Sequence, residues 1–96
     1  AWKGLSHYTA TKAGLRQLMM NLAGDLAPDV RVNCVAPGAI MAAPWEAEHF
    51  ASVIEKVPLG RGGSPVDVAK AVLFLIQSDY LSGQVLNVDG GWTVAP

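Results

Sequence analysis

The run Val68-Ala69-Lys70-Ala71-Val72-Leu73-Phe74-Leu75-Ile76 most constrains what this chain can fold into. On a helix it is apolar nearly all round, with Lys70 its one charge, so it needs partners on more than one side. Ser64-Pro65-Val66-Asp67 in front of it is a helix start, with serine at the N-cap, proline at the first helical position and an acid three residues after the cap. The helix is expected over about 65–77. Before it, Val30-Arg31-Val32-Asn33-Cys34-Val35-Ala36 is rich in β-branched residues and stops at Pro37-Gly38, which predicts a strand over about 30–36. After it, Tyr80-Leu81-Ser82-Gly83 turns the chain, and Gln84-Val85-Leu86-Asn87-Val88 predicts a last strand over about 84–88. Asp89-Gly90-Gly91 closes that strand with residues that tolerate positive φ; with no helix expected to follow, it makes a poor phosphate cradle. Strand, helix and strand in this order imply a right-handed crossover and parallel pairing. Parallel sheets are covered on both faces and contain several strands, so two strands alone leave hazardous edges. The expectation is an α/β chain that forms part of a larger sheet, not a complete domain.

Composition agrees. The chain of 96 residues is 51% hydrophobic and 16% charged, against about 45–50% and about 25% in typical domains. Such a chain has too little charge to cover a free-standing sphere. A formal net charge of -1 argues against a nucleic-acid footprint and against electrostatic attachment to a membrane. No apolar run reaches the roughly 18 residues of a membrane span. The single Cys34 allows neither an internal disulfide nor a thiolate metal cluster, and a reducing, cytoplasmic compartment is the simplest expectation.

From about Leu5 to Ala27 the spacing is helical: Tyr8, Leu15, Leu18, Met19, Leu22 and Leu26 recur at three and four residues until Pro28 stops the run. Within it, Tyr8 and Lys12 stand four residues apart and share one helix face. A phenol that trades protons near neutrality needs its acidity raised from a pKa of about 10, roughly 4 kcal/mol of differential stabilisation. One cation about 4 Å away at an effective dielectric near 20 supplies on the order of 4 kcal/mol. The bland alternative is a ring resting on a lysine stem at the helix surface.

The remaining residues carry weaker signals. The stretch 39–58 is mixed, with Trp45, His49 and Phe50 among Glu46, Glu48 and Glu55, and predicts at most a short helix. His49 lacks an identifiable acidic partner or nucleophile and reads as a surface histidine, while His7 points to another helix face than Tyr8. Cys34 alternates with Val32 and Ala36 as a buried small hydrophobe. The three glutamates read as a solvated face and Arg61, in a glycine-flanked loop, as structural.

Taken in order, Tyr8-Thr9-Ala10-Thr11-Lys12-Ala13, Leu26-Ala27-Pro28 running into Val30-Arg31-Val32-Asn33, Ala36-Pro37-Gly38-Ala39-Ile40, Pro58-Leu59-Gly60-Arg61 with Pro65, Val68 and Ala69, and Leu81-Ser82-Gly83-Gln84-Val85-Leu86-Asn87-Val88-Asp89-Gly90-Gly91 resemble the C-terminal part of a short-chain dehydrogenase/reductase. The phrasing is similar to oxoacyl-carrier-protein reductases and pteridine reductases. The resemblance implies a Rossmann-like doubly wound parallel sheet whose N-terminal dinucleotide-binding half is not in this chain. It also implies NADP or NAD as cofactor and a small carbonyl or pterin-like substrate. Tyr8 would be the general acid and base, and Lys12 would bind the nicotinamide ribose while tuning Tyr8. Pro37 and Gly38 would end a strand beside the cofactor, and the backbone of Ile40 would bond the nicotinamide carboxamide. Met41 and Trp45 fall where relatives place a mobile substrate-binding segment. No metal is implied.

Two departures stand against the family pattern. Ala42 replaces a threonine that contacts the cofactor in many relatives. The glycine-rich loop, the Asn-Ala-Gly segment and the catalytic serine belong upstream of anything present, and Ser6, two positions before Tyr8, cannot be that serine. A homodimer or homotetramer is expected of the complete protein, through the first helix and through the 65–77 helix with the last strand. Two rivals stay open, a non-catalytic binding or scaffolding subunit of the same fold and a stand-alone interaction module.

Overall fold

The computed structural model describes residues 4–41, 43 and 45–95, leaving aside the side chains of Ala47 and His49. Ala42 therefore lies outside the described residues, and so does the expectation for the His49 side chain. The element order is α1 (Ser6–Asp25), β1 (Cys34–Pro37), α2 (Glu46–His49), α3 (Ala51–Ile54), α4 (Pro65–Gln77), β2 (Val85–Val88) and a single 3-10 turn at Trp92–Val94. The chain divides into two compact units, Ala1–Cys34 with Asp79–Val85, and Val35–Ser78 with Leu86–Pro96.

The two strands form one sheet, in the order β1-β2. Cys34 N–H donates to the Gln84 carbonyl at 2.8 Å, and Gly38 N–H to the Val88 carbonyl at 2.9 Å. Each strand advances equally between these bonds, so the pairing is parallel, as the strand–helix–strand order predicts. Regular strand begins later than expected, at Cys34 instead of Val30. The reason is local: residues 32–33 spend their hydrogen bonds on the turn before β2. Gly83 N–H donates to the Val32 carbonyl at 2.7 Å and Val32 N–H to Ser82 Oγ at 3.3 Å. Asn33 Nδ2 donates to the Leu81 carbonyl at 2.9 Å, while Asn33 Oδ1 accepts from Gln84 N–H at 3.1 Å. Arg31 adds a bond to the same Leu81 carbonyl at 3.1 Å.

In the first unit, α1 starts one residue later than expected and has no side-chain cap. Of its apolar spacing, Met19 is buried together with Ala23, one turn further on, whereas Leu15, Leu18, Leu22 and Leu26 are exposed. The apolar stripe is wider than the surface it packs on. Ala23 faces the 81–84 turn, where a β-carbon on Gly83 would lie 3.6 Å from its methyl.

In the second unit, α4 runs over the 65–77 predicted from its cap, and Ser64 with Asp67 forms a capping box. Only Leu75 of this helix is buried; Val66, Leu73, Phe74 and Ile76 are exposed, so much of its apolar circumference is left uncovered by the described residues. The turn after β2 packs on residues 57–58. Leu59 N–H bonds the Gly90 carbonyl at 3.0 Å, and a β-carbon on Gly90 would meet Val57 Cγ1 at 2.5 Å. Gly90 and Gly91 both have positive φ, 61° and 90°, as the Asp-Gly-Gly turn requires. One turn of 3-10 helix does follow, contrary to expectation, because the Asp89 carboxylate accepts from Thr93 N–H at 2.9 Å, from Gly91 N–H at 3.0 Å and from the Thr93 hydroxyl. Cys34 is half-buried where full burial was expected.

Candidate active site

The helical rise of α1 places Lys12 one turn above Tyr8, and the Lys12 ammonium sits over the Tyr8 ring, 5.5 Å from its centroid. Tyr8 is 54% exposed, so the pair is presented on the surface of the first unit. The helix is continuous through both residues, and Thr11 Oγ1 donates to the His7 carbonyl at 2.8 Å on a neighbouring face.

Pro37, Gly38 and Ile40 lie in the second unit. Gly38 follows β1 directly, the chain bends at Ala39, and Ile40 then forms an isolated parallel bridge with Gly63. Gly63 N–H donates to the Ala39 carbonyl and Met41 N–H to the Gly63 carbonyl, both at 2.8 Å. In a parallel bridge the peptide groups on either side of the bridged residue bond its partner. The N–H and C=O of Ile40 therefore point away from Gly63, and among the described residues neither has a hydrogen-bond partner. A backbone donor and acceptor side by side match a primary carboxamide, which offers one carbonyl and one amino group. The residues present thus fit the amide end of a nicotinamide.

Met41 is half-buried with its side chain over Gly62, where a β-carbon would come within 2.9 Å of Met41 Cε. Trp45 is 80% exposed. Glu48 and Glu55 are exposed, and Glu46 is partly so. Among the described residues no three His, Cys, Asp or Glu are grouped to hold a metal ion, and no helix is long and apolar enough to cross a membrane.

Sequence reading singled out Arg61 only as structural and gave Asp67 only a capping role; the structure joins them. Arg61 Nη1 and Nη2 donate to Asp67 Oδ2 and Oδ1 at 2.9 and 3.3 Å, a two-point ion pair. Asp67 is held well below the usual carboxylate range by its bond to Arg61, then by that to the Ser64 N–H. Asp89 is likewise lowered, first by the Thr93 hydroxyl and then by the Thr93 N–H. A cavity of about 200 Å3 opens in the same unit, lined by Ala39, Val57, Arg61, Gly63, Asp67 and Asp89 among others. It is smaller than a typical ligand pocket of about 300 Å3 or more and includes none of the residues expected to bind substrate.

A parallel sheet with this strand–helix–strand order defines an α/β fold, and its first helix carries the Tyr-x-x-x-Lys pair. The family model described as enoyl-(acyl carrier protein) reductase matches residues 1–93. The chain is 47% identical over 92 residues to the 3-oxoacyl-[acyl-carrier-protein] reductase of Mus musculus, covering 92% of this chain and 38% of the relative. It is 45% identical over 85 residues to carbonyl reductase family member 4 of Danio rerio, covering 88% and 36%. Among solved structures, an oxidoreductase of the short-chain dehydrogenase/reductase family from Burkholderia thailandensis matches with a TM-score of 0.85 at 37% identity, covering 99% of this chain and 40% of that one. The FolM alternative dihydrofolate reductase 1 of Brucella canis, complexed with NADP, matches with a TM-score of 0.81 at 31% identity, covering 93% and 36%. The chain belongs to the short-chain dehydrogenase/reductase family. It spans less than two-fifths of the length of the curated relatives named here.

Proposed function

We propose that this chain is the proton-transfer and nicotinamide-reading part of an NAD(P)-dependent oxidoreductase acting on a carbonyl, its alcohol, or an imine. The observation that carries the reading is the Tyr8–Lys12 pair, side by side on an exposed helix face. When bound, a dihydronicotinamide supplies the hydride. Tyr8 donates its phenolic proton to the substrate oxygen as the C=O π electrons move onto it, and recovers a proton from solvent. In the reverse direction its phenolate takes the alcohol proton. Lys12, its ammonium 5.5 Å from the Tyr8 ring centroid, holds the nicotinamide ribose by hydrogen bonds and keeps a positive charge beside the phenol. The Ile40 N–H and C=O orient the carboxamide, so one ring face is presented. Pro37 and Gly38 end β1 beside the cofactor, where open parallel sheets bind ligands. Met41 and the exposed Trp45 contribute to the substrate wall.

Relatives crystallised with NADPH and NADP support NADP as the cofactor to try first, with NAD second. The relatives' names, an oxoacyl-carrier-protein reductase and a dihydrofolate reductase among them, support small carbonyl and pterin-like substrates. The phosphate-binding loop and the catalytic serine are assigned to sequence beyond these 96 residues. The exposed apolar faces of α1 and α4 support a homodimer or homotetramer of the complete protein, and the single Cys34 supports a cytoplasmic setting.

The test is NAD(P)H oxidation by the full-length protein across small aldehydes, ketones, quinones and dihydropteridines. Tyr8→Phe is expected to lower kcat by about 10²–10⁴-fold with the fold retained. Undiminished turnover in that variant would remove the proton-transfer role.

A further inference from the structure

The geometry points to Arg61 and Asp67 as positioning residues that hold the Ile40 amide in the register in which it reads a nicotinamide carboxamide. This rests on the carboxamide role proposed for Ile40 above. One carboxylate organises the whole loop. Asp67 Oδ2 accepts from Arg61 Nη1 at 2.9 Å, from Ser64 N–H at 2.8 Å and from Ser64 Oγ at 3.2 Å, and Arg61 Nη1 also donates to the Gly62 carbonyl at 3.0 Å. Residues on either side of Gly63 are thereby fixed to α4. Gly63 itself spends both peptide groups on the 39–41 segment, to the Ala39 carbonyl and from Met41 N–H.

Close approach reinforces the register. A β-carbon on Gly63 would lie 2.6 Å from Ile40 Cδ1, and one on Gly62 2.9 Å from Met41 Cε, so the loop lies flush against the segment it braces. The cavity of about 200 Å3 lined by Arg61, Gly63 and Asp67 opens beside the same loop. A two-point guanidinium–carboxylate pair is the kind of exposed ion pair that does fix geometry.

The experiment uses the full-length protein and two kinds of probe: NADP+ or NAD+, and ADP-ribose or its 2′-phosphate, which lack the nicotinamide. Arg61→Met and Asp67→Asn are each expected to weaken the dinucleotide about tenfold, as for loss of one or two neutral hydrogen bonds. Affinity for the nicotinamide-free probes stays at the parent value, and Arg61→Lys, charged but unable to form the fork, falls between. If Arg61→Met does not fold, Asp67→Asn carries the test, being isosteric and still able to accept from Ser64 N–H. Equal weakening of both probe classes, or of neither, overturns the positioning role while leaving the reductase reading intact. A parent protein that binds ADP-ribose no worse than the dinucleotide overturns the carboxamide contact itself, and with it this assignment.

Discussion

Gly38 and Asp89 approach so closely that a β-carbon on Gly38 would stand 2.8 Å from both Cα and Cβ of Asp89. The end of β1 is thus closed against the turn that ends β2, backbone to backbone. Asp89 Cα cannot rotate out of the way as a side-chain terminus can. Gly38→Ala is therefore expected to destabilise by about 1–3 kcal/mol, the cost of overpacking. The check is a fall in the urea midpoint of the full-length protein, with Gly62→Ala as a milder comparison because the flexible Met41 Cε can move.

Asn33 ties the approach to β1 to the turn before β2 through both ends of its amide, to the Leu81 carbonyl and from Gln84 N–H. Asn33→Ala leaves both backbone groups without that partner. A loss of about 1–3 kcal/mol is expected, seen as a lower denaturant midpoint at unchanged slope.

Lys12→Met removes the charge beside Tyr8 and, in the role proposed for it, a donor to the ribose. It is expected to raise KM for the dinucleotide and to lower kcat for alcohol oxidation, where the role proposed for Tyr8 is that of a base. A fall in kcat with KM for the dinucleotide unchanged would remove the proposed ribose contact.

Asp67 and Asp89 are both held below the ordinary carboxylate range, by Arg61 and by Thr93 respectively. A carboxyl lowered on folding binds fewer protons in the folded state, so its stabilisation is fully present above the unfolded value of about 4 and is lost as pH falls through the lower folded value. Acid unfolding followed by circular dichroism should show stability declining below about pH 4. Thr93→Val, which deletes the hydroxyl donor to Asp89, should reduce the part of that decline due to Asp89.

The Ser64-Pro65-Val66-Asp67 start and the apolar run behind it sufficed to place α4, because capping and periodicity are local properties of the backbone. Tyr8 and Lys12 could be paired for the same reason, since helical rise alone brings residues one turn apart together. The strand over 30–36 was legible as extended chain, but its true start at Cys34 was not, because Val32 and Asn33 bond a turn some fifty residues away in sequence. The width of the apolar stripe on α1 hid which residues pack, since of this helix only Met19 and Ala23 are buried. Arg61, Gly63 and Asp67 gave no hint of acting on Ile40.

Periodicity, caps and turn residues, each a matter of a few neighbours, let the sequence by itself determine the two long helices, the presence of the two strands, their order and the helix that carries Tyr8 and Lys12. The tertiary structure alone decided that Gly63 braces Ile40, that one carboxylate gathers the 61–64 loop, and that Gly38 has no room for a side chain. Those facts depend on distances between segments remote along the chain, which local preferences do not encode.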